Sequence, residues 1–196
     1  MGAEKALLII DVQNDFCPGG ALAVPEGDKI VPVLNRYIEL FLSKGLPIFA
    51  SRDWHPEKTK HFKDFGGLWP KHCIQKTRGA EFHPGLKLPD KIIILSKGMD
   101  PEKDSYSVFQ GADSQGKSFL NLLSFMGIIE LYVGGLATDY CVKESVLDAL
   151  KNGFKVKLLM DAIKGVNEES SREAIKQMVA RGAEQITFEK LSRIMD

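Results

Sequence analysis

The protein is a chain of 196 residues whose 26 basic and 26 acidic side chains give a formal net charge of zero at pH 7. A chain of this length can bury a substantial core, and we expect residues 1–196 to form a single domain. The balanced charge argues against nucleic acid or an anionic membrane as a partner, and no apolar run reaches a transmembrane length.

The amino terminus and the cysteines indicate a cellular compartment. The chain runs from Met1 almost directly into an apolar strand, without a signal-peptide pattern. Its three cysteines, Cys17, Cys73 and Cys141, are an odd and sparse set without the spacing of a disulfide framework. We therefore expect a cytoplasmic protein whose cysteines are reduced.

Short apolar runs alternate with amphipathic segments along most of the chain. The apolar runs predict strands at 6–10, 46–51, 91–96, 128–133, 156–160 and 185–188. The segments between them predict helices at about 29–44, 116–125, 142–152 and 168–181, with a short helix at the end. Asp28 is a candidate N-cap for the first helix, and Gly45 is suited to end it. This alternation indicates a parallel sheet covered by helices on both faces.

Residues 52–90 interrupt this alternation. The segment is rich in His, Pro, Gly and Trp and shows little periodicity. A connection of this length inside a compact domain is usually functional, so we expect it to contribute to a site.

Four reactive residues follow predicted strands closely. Asp11, Asp53, Lys97 and Cys141 lie just beyond the carboxyl ends of four different strands. Ligands of parallel α/β sheets bind beyond these ends. The sequence therefore predicts one site, on this rim of the sheet, that brings the four side chains together.

Cys141 lies in the connection between a buried strand and a helix. Gly134 and Gly135 follow the strand, where we expect a tight turn, and Thr138 or Asp139 can cap the next helix. Cys141 would then lie in the first helical turn, where free N–H groups and the helix dipole stabilise the nucleophilic thiolate. The alternative is a buried, inert cysteine beside a core helix.

Asp11 and Lys97 could support a cysteine nucleophile. Asp11 could accept the proton of the Cys141 thiol and later deliver it to a leaving amine. Lys97 could hold Asp11 in place and stabilise the thiolate by Coulomb attraction. Taken singly, Asp11 is equally consistent with a loop acid and Lys97 with a surface lysine, whereas the trio on one rim favours catalysis.

A second group of residues has the chemistry of metal ligands. Asp53 and His55 are two residues apart in an extended segment and point the same way, and His72 follows downstream. Carboxylate and imidazole ligands suit Zn, Fe or Mn. His61 remains open as a further ligand, and His83 is interpreted as structural. The alternative is that all four histidines are solvated or turn-forming.

Aromatic side chains are frequent in the same loops. They could line a flat pocket for an aromatic ring, although each one alone is also consistent with ordinary packing. The residues concerned are Phe16, Phe62, Phe65, Trp69 and Tyr106.

These residues fall in motifs that resemble the nicotinamidase/pyrazinamidase family of isochorismatase-like cysteine hydrolases. The match covers nearly the whole chain, and its motifs begin at residues 11, 53, 69, 97, 106 and 135. The motifs D-W-H-P at 53–56 and W-P-K-H-C at 69–73 mark nicotinamidases in particular, since other branches of the superfamily lack that metal site.

The resemblance implies a three-layer αβα fold with a six-stranded parallel sheet. It implies a catalytic triad of Asp11, Lys97 and Cys141, and an oxyanion hole formed by the N–H groups of Ala137 and Cys141, with a cis peptide bond before Ala137. The implied metal ligands are Asp53, His55 and His72, joined in some members by the residue at the position of His61. The implied substrate-binding residues are Phe16, Leu22, Trp69, Tyr106 and Leu136.

The resemblance also implies an activity, the hydrolysis of nicotinamide to nicotinate and ammonia through a cysteine thioester. It further implies one divalent metal ion, turnover of pyrazinamide and a role in NAD salvage. A homo-oligomer is compatible with the sequence, which does not determine the oligomeric state. Two other interpretations stay open at this point. One is a related cysteine amidohydrolase acting on a ureido or carbamoyl acid, and the other is a non-catalytic protein that binds a pyridine ligand.

Overall fold

The structure is a computed structural model that describes residues 4–195. Its sheet has six strands in the described residues: β1 (Lys5–Ile10), β2 (Ile48–Asp53), β3 (Ile93–Lys97), β4 (Glu130–Leu136), β5 (Lys155–Lys164) and β6 (Glu184–Ile186). All neighbouring pairs are parallel, in the order β3-β2-β1-β4-β5-β6. The helices are α1 (Val31–Ser43), α2 (Phe119–Met126), α3 (Lys143–Lys151), α4 (Glu168–Ala180) and α5 (Phe188–Met195).

The two faces of the sheet bury separate hydrophobic clusters. Leu7 and Ile9 of β1 pack with residues of α1 and α5, whereas Leu8 and Ile10 pack with residues of α2, α3 and α4. This division follows from the strand geometry, because successive side chains point to opposite faces. Each such buried aliphatic side chain stabilises the fold by about 1.5–3 kcal/mol. The predicted three-layer αβα fold with a six-stranded parallel sheet is confirmed.

β1 lies at the centre of the sheet, with β2 on one side and β4 on the other. The strands that follow β1 in the chain are added first on one side of it, as β2 and β3, and then on the other side, from β4 onward. Such a reversal of strand order opens a crevice beyond the carboxyl ends of the strands on either side of it. Asp11, directly after β1, lies at this point. Residues 52–90, predicted to be irregular, contain only short 3-10 turns and isolated bridges beyond the end of β2.

The start of α1 differs from the prediction. A 3-10 turn covers Gly27–Ile30, and α1 begins at Val31. Within the described residues no side chain caps this helix, so the prediction of Asp28 as its N-cap is wrong. Pro32 lies in the first turn instead, where its fixed φ suits the helix and its missing N–H has no intrahelical partner to lose.

Gly134 and Gly135 also differ from the prediction, because they belong to β4 and do not form a turn. Gly135 has a φ of 127°, and a Cβ there would lie 2.1 Å from the carbonyl oxygen of Ile10. A Cβ at Gly134 would lie 2.9 Å from the carbonyl oxygen of Ala162. The two glycines therefore allow β4 to lie close to both neighbouring strands. No helix of residues 4–195 is long and apolar enough to span a membrane.

Candidate active site

Lys97 lies at the centre of a buried polar cluster. Its ammonium nitrogen is 2.8 Å from Asp11 Oδ2 and 3.4 Å from the sulfur of Cys141, and it also contacts the carboxylate of Asp53. Lys97 is 1% exposed. Asp53 and Lys97 end β2 and β3, while Asp11 and Cys141 follow β1 and β4. The structure thus brings together the four residues that the sequence places on one rim.

Cys141 lies in a π-helical turn, Thr138–Val142, that leads directly into α3. The N-cap of this turn is Ala137, and among the described residues no side chain caps it, so the prediction for Thr138 or Asp139 is wrong. The carboxylate of Asp139 is used elsewhere. It accepts hydrogen bonds from the backbone N–H groups of Val166 and Asn167 and from the hydroxyl of Ser170, near the start of α4.

The electrostatics of the cluster favour a neutral thiol. Burial raises the pKa of Cys141 well above its ordinary value; Lys97 opposes this effect, and Asp11 and Asp53 add to it. Burial thus opposes the thiolate that is expected at the helix start, and removal of the thiol proton needs a base. Burial also raises the pKa of Asp11, despite the opposing charge of Lys97. An aspartate with a raised pKa accepts a proton more readily, so Asp11 suits that role.

Lys97 keeps its charge in this site, and so does Asp53. Burial lowers the pKa of Lys97, but Asp11 and Asp53 outweigh it and hold the pKa well above its usual range. Burial likewise raises the pKa of Asp53, but Lys97 and the neighbouring histidines hold it below its usual range. One ammonium group is therefore paired with two buried carboxyl groups.

Ser51 orients the carboxyl group of Asp11 and was not identified from the sequence. Its buried hydroxyl donates a hydrogen bond of 2.7 Å to Asp11 Oδ1, which leaves Oδ2 for Lys97. Ser51 and Asp53 are two residues apart on β2 and so face the same side of the sheet. That spacing is the sequence signal that could have identified it.

Three histidines form a second cluster next to the first. His55, His61 and His72 are buried, and each offers a ring nitrogen within 4.8 Å of the others. Asp53 Oδ2 lies 3.7 Å from His55 Nε2 and 3.9 Å from His72 Nε2, while its other oxygen contacts Lys97. The carboxylate of Asp53 thus connects the two clusters.

The outer nitrogens of these rings already have partners. The Nδ1 atoms lie 3.0 Å from Gly98 O for His55, 2.5 Å from Asp104 Oδ1 for His61 and 2.8 Å from Pro70 O for His72. This pattern fixes each ring and leaves Nε2 as the ligand atom, as in protein metal sites. His55 Nε2 is buried and lacks a hydrogen-bond partner within residues 4–195. The donor set therefore fits a divalent metal.

Gln13 fixes the backbone of Asp53. Its buried side-chain amide donates to the carbonyl groups of Asp53 and Ala80 and accepts from the N–H of Asp53, at 2.7–2.9 Å. Sequence reasoning missed this role. His83, interpreted from the sequence as structural, accepts a hydrogen bond from the N–H of Gly85 and lies outside the histidine cluster.

A cavity, here called the site cavity, opens onto both clusters. Four of the predicted pocket residues line it, namely Phe16, Leu22, Trp69 and Tyr106, and so do Ala137 and Cys141. The sequence did not identify four further lining residues: Val24, Ser105, Tyr140 and Val166.

Three residues are not where the sequence placed them. Leu136, predicted to bind substrate, is fully buried in the core cluster on the α1 face and does not line the site cavity. Phe62 packs against the rings of His55 and His72 and does not line the cavity. Phe65 is partly exposed and also lies outside the cavity lining. Local aromatic content could not distinguish these positions from the true lining.

The cavity wall is held by contacts between aromatic side chains. Trp69 Nε1 donates a hydrogen bond of 2.9 Å to the hydroxyl of Tyr106. Tyr140 packs edge-on against Trp69, with ring centroids 5.1 Å apart. The predicted cis peptide bond between Leu136 and Ala137 is present. The use of the Ala137 and Cys141 N–H groups as an oxyanion hole stays a prediction.

The fold and this site define an α/β protein with a buried Asp–Lys–Cys cluster beside a histidine-rich metal-ligand set. The family model of the Isochorismatase domain matches residues 5–190. The chain therefore belongs to the isochorismatase family, as its motifs predicted.

Individual relatives resemble the chain over most of its length. The nicotinamidase of Escherichia coli (strain K12) is 44% identical over 91% of this chain and 92% of its own. The structure of a pyrazinamidase of Pyrococcus horikoshii in complex with zinc is 47% identical, with a TM-score of 0.88 over 94% of this chain and 99% of its own. The structure of PnC1 from L. infantum in complex with nicotinate is 33% identical, with a TM-score of 0.83 over 94% of this chain and 93% of its own.

Proposed function

We propose that the protein is a nicotinamidase, which hydrolyses nicotinamide to nicotinate and ammonia and also accepts pyrazinamide. One observation carries the proposal. The buried cluster of Asp11, Lys97 and Cys141 opens onto the same cavity as a set of ligand nitrogens aimed inward. Cysteine chemistry and recognition of a ring nitrogen are thus available at opposite ends of one small substrate.

Asp11 and Cys141 perform the covalent steps. Asp11 accepts the thiol proton, and the sulfur attacks the carboxamide carbon. The N–H groups of Ala137 and Cys141 stabilise the oxyanion, each by about 3 kcal/mol. The C–N bond breaks, and ammonia leaves with the proton from Asp11. Water then attacks the thioester, its proton passes to Asp11 and on to the departing sulfur, and nicotinate is released.

Lys97 stabilises the thiolate and positions Asp11 during these proton transfers. Its charge stabilises the thiolate that forms during attack, and its contact with Asp11 Oδ2 holds the base within 4.8 Å of the sulfur. The hydrogen bond from Ser51 holds the other carboxyl oxygen. The proton therefore moves between Asp11 and Cys141 within a fixed and buried arrangement.

Asp53, His55, His61 and His72 would hold one divalent metal ion, which we propose to be zinc, with iron or manganese as alternatives. When bound, such an ion supplies a Lewis acid that orients the ring through the pyridine nitrogen. The walls formed by Phe16, Leu22, Trp69 and Tyr106 enclose the flat ring and exclude water.

Two other functions fit less of the site. An amidohydrolase for ureido or carbamoyl acids would not require the metal-ligand set formed by the three histidines. A pyridine-binding protein without activity would have no use for a buried lysine beside a thiol. We further propose that the reaction serves NAD salvage in the cytoplasm and that residues 1–196 form one domain. A homo-oligomer stays a prediction.

Ammonia release from nicotinamide, with and without a chelator, tests the proposal. We expect ammonia and nicotinate in equal amounts, loss of turnover with chelator, and recovery on addition of Zn²⁺. N-carbamoylsarcosine serves as the comparison substrate and should not be hydrolysed. Undiminished turnover in the presence of chelator would contradict the metal's role. Hydrolysis of N-carbamoylsarcosine but not of nicotinamide would instead indicate an amidohydrolase for ureido or carbamoyl acids.

A further inference from the structure

Ser105 carries a buried hydroxyl that has no hydrogen-bond partner within residues 4–195. Among residues 4–195, three buried side-chain polar atoms lack a hydrogen-bond partner: Asp11 Oδ2, His55 Nε2 and Ser105 Oγ. The first is paired in charge with Lys97, and the second belongs to the metal-ligand set. The third has no such use, although Ser105 is 8% exposed and lines the site cavity.

The loop around Ser105 is held together without its hydroxyl. The hydroxyl of Ser107 accepts a hydrogen bond from the N–H of Phe109. The side chain of Gln110 accepts from the N–H groups of Tyr106 and Ser107. Folded proteins rarely leave a buried hydroxyl unpaired, so we expect the hydroxyl of Ser105, a residue of the cavity wall, to take its partner from water or from a bound ligand.

The neighbours of Ser105 define its place in the site cavity. Asp104 contacts Nδ1 of His61, and Tyr106 accepts the hydrogen bond of Trp69. Ser105 therefore lies on the wall between the histidine cluster and the aromatic residues.

We propose that the Ser105 hydroxyl contacts the edge of the bound heteroaromatic ring and selects among ring carboxamides by the position of a second ring nitrogen. A hydroxyl donates a full hydrogen bond to an aromatic nitrogen but makes only a weak contact with a C–H at the same position. Ser105 is thus a specificity-determining residue. This inference rests on the proposed function, because it requires an azine carboxamide in the site cavity.

The diazine carboxamides provide a scan of the ring edge. Pyrazine-2-, pyridazine-3-, pyridazine-4- and pyrimidine-5-carboxamide all keep a nitrogen meta to the carboxamide, as in nicotinamide, and place a second nitrogen at each remaining ring position in turn. The experiment measures kcat/KM for these amides and nicotinamide with the wild-type protein and Ser105→Ala. The ratio of variant to wild type cancels the intrinsic reactivity of each amide.

We expect Ser105→Ala to lower kcat/KM about tenfold for the diazine whose second nitrogen faces Ser105, and less than about threefold for nicotinamide. Ser105→Thr keeps the hydroxyl and should keep the wild-type preference. Ser107→Ala is the matched control, because its hydroxyl supports the loop, and it should change all amides by a similar factor.

Equal ratios for all five amides in Ser105→Ala would overturn the role of Ser105 while leaving the proposed function intact. The same holds if Ser107→Ala reproduces the selective loss, since the effect would then come from the loop. A wild-type protein that hydrolyses none of the amides would overturn both the proposed function and this inference.

Discussion

The ammonium nitrogen of Lys97 lies 3.4 Å from the sulfur of Cys141, and both side chains are buried. The same nitrogen contacts the carboxyl groups of Asp11 and Asp53. Because one cation faces two acids and a thiol away from water, its removal leaves buried negative charge without a partner. The proton balance of the site therefore depends on Lys97.

Replacement of Lys97 should impair activation of the Cys141 thiol. Lys97→Met keeps the length of the side chain and removes its charge, so we expect kcat/KM for nicotinamide to fall about 10²-fold or more. Alkylation of Cys141 by iodoacetamide should shift to higher pH, because the cation stabilises the thiolate. Lys44→Met, at the exposed end of α1, is the control. Identical alkylation profiles in wild type and Lys97→Met would contradict this role.

Removal of the sulfur should abolish turnover without unfolding the protein. We expect Cys141→Ala to lower kcat by about 10⁴-fold or more, with unchanged metal content. Cys141→Ser should be nearly inactive, because a hydroxyl is far less acidic than a thiol. Cys17→Ala is the matched control, since Cys17 is also buried and free but lies outside the site cavity. Appreciable hydrolysis by Cys141→Ala would exclude Cys141 as the nucleophile.

Metal affinity should depend on His61 and on the residue that orients it. We expect His61→Ala to weaken metal binding at least about tenfold, and Asp104→Asn to weaken it by about 10-fold or more, because Asp104 fixes the ring of His61. Metal content after dialysis against a competing chelator measures both effects, with His83→Ala as control. Unchanged affinity in His61→Ala would assign that residue to the cavity wall.

Thiol reactivity should survive loss of the metal. Lys97 contacts Cys141, and Asp11 lies within 4.8 Å of its sulfur, so metal-free His72→Ala should still react with iodoacetamide while nicotinamide turnover collapses. Loss of alkylation in a folded, metal-free variant would show that the metal also activates the thiol.

The acidic limb of the pH profile should report Asp11. The carboxylate form accepts the thiol proton, so kcat/KM should fall as the pH drops through the pKa of Asp11, which burial raises above its usual value. Ser51→Ala removes a hydrogen bond to the carboxylate and should move this limb to higher pH. Ser43→Ala, on the surface of α1, should not. An unmoved limb in Ser51→Ala would assign it to another group.

Gln13 should contribute to stability through the backbone of Asp53. Gln13→Met keeps the volume but leaves buried backbone groups without partners, at about 1–3 kcal/mol each. We expect the free energy of unfolding in urea to fall by about 3 kcal/mol, with little change in the exposed control Gln115→Met. A loss below about 1 kcal/mol would mean that water replaces these hydrogen bonds.

Much of the fold and the reactive core of the site could be predicted from the sequence. Apolar runs such as 6–10 and the reactive residues that follow them are local features, and the parallel sheet converts chain order into a common rim. That is why Asp11, Asp53, Lys97 and Cys141 could be placed together before any contact was known. The bounds of the strands were less accurate, because glycines such as Gly135 serve in a strand as well as in a turn.

Contacts between distant segments were decided by the tertiary structure alone. Gln13 and Ser51 each bind a functional residue 40 positions away in the chain. The spacing of Ser51 and Asp53 indicates which face of the sheet Ser51 points to, but no local pattern specifies the partner of either residue. The inward position of His61 and the exclusion of Leu136 from the site cavity likewise depend on how separate loops pack. The pKa of Cys141 follows the same rule, because burial raises it and burial is set by everything packed around the sulfur.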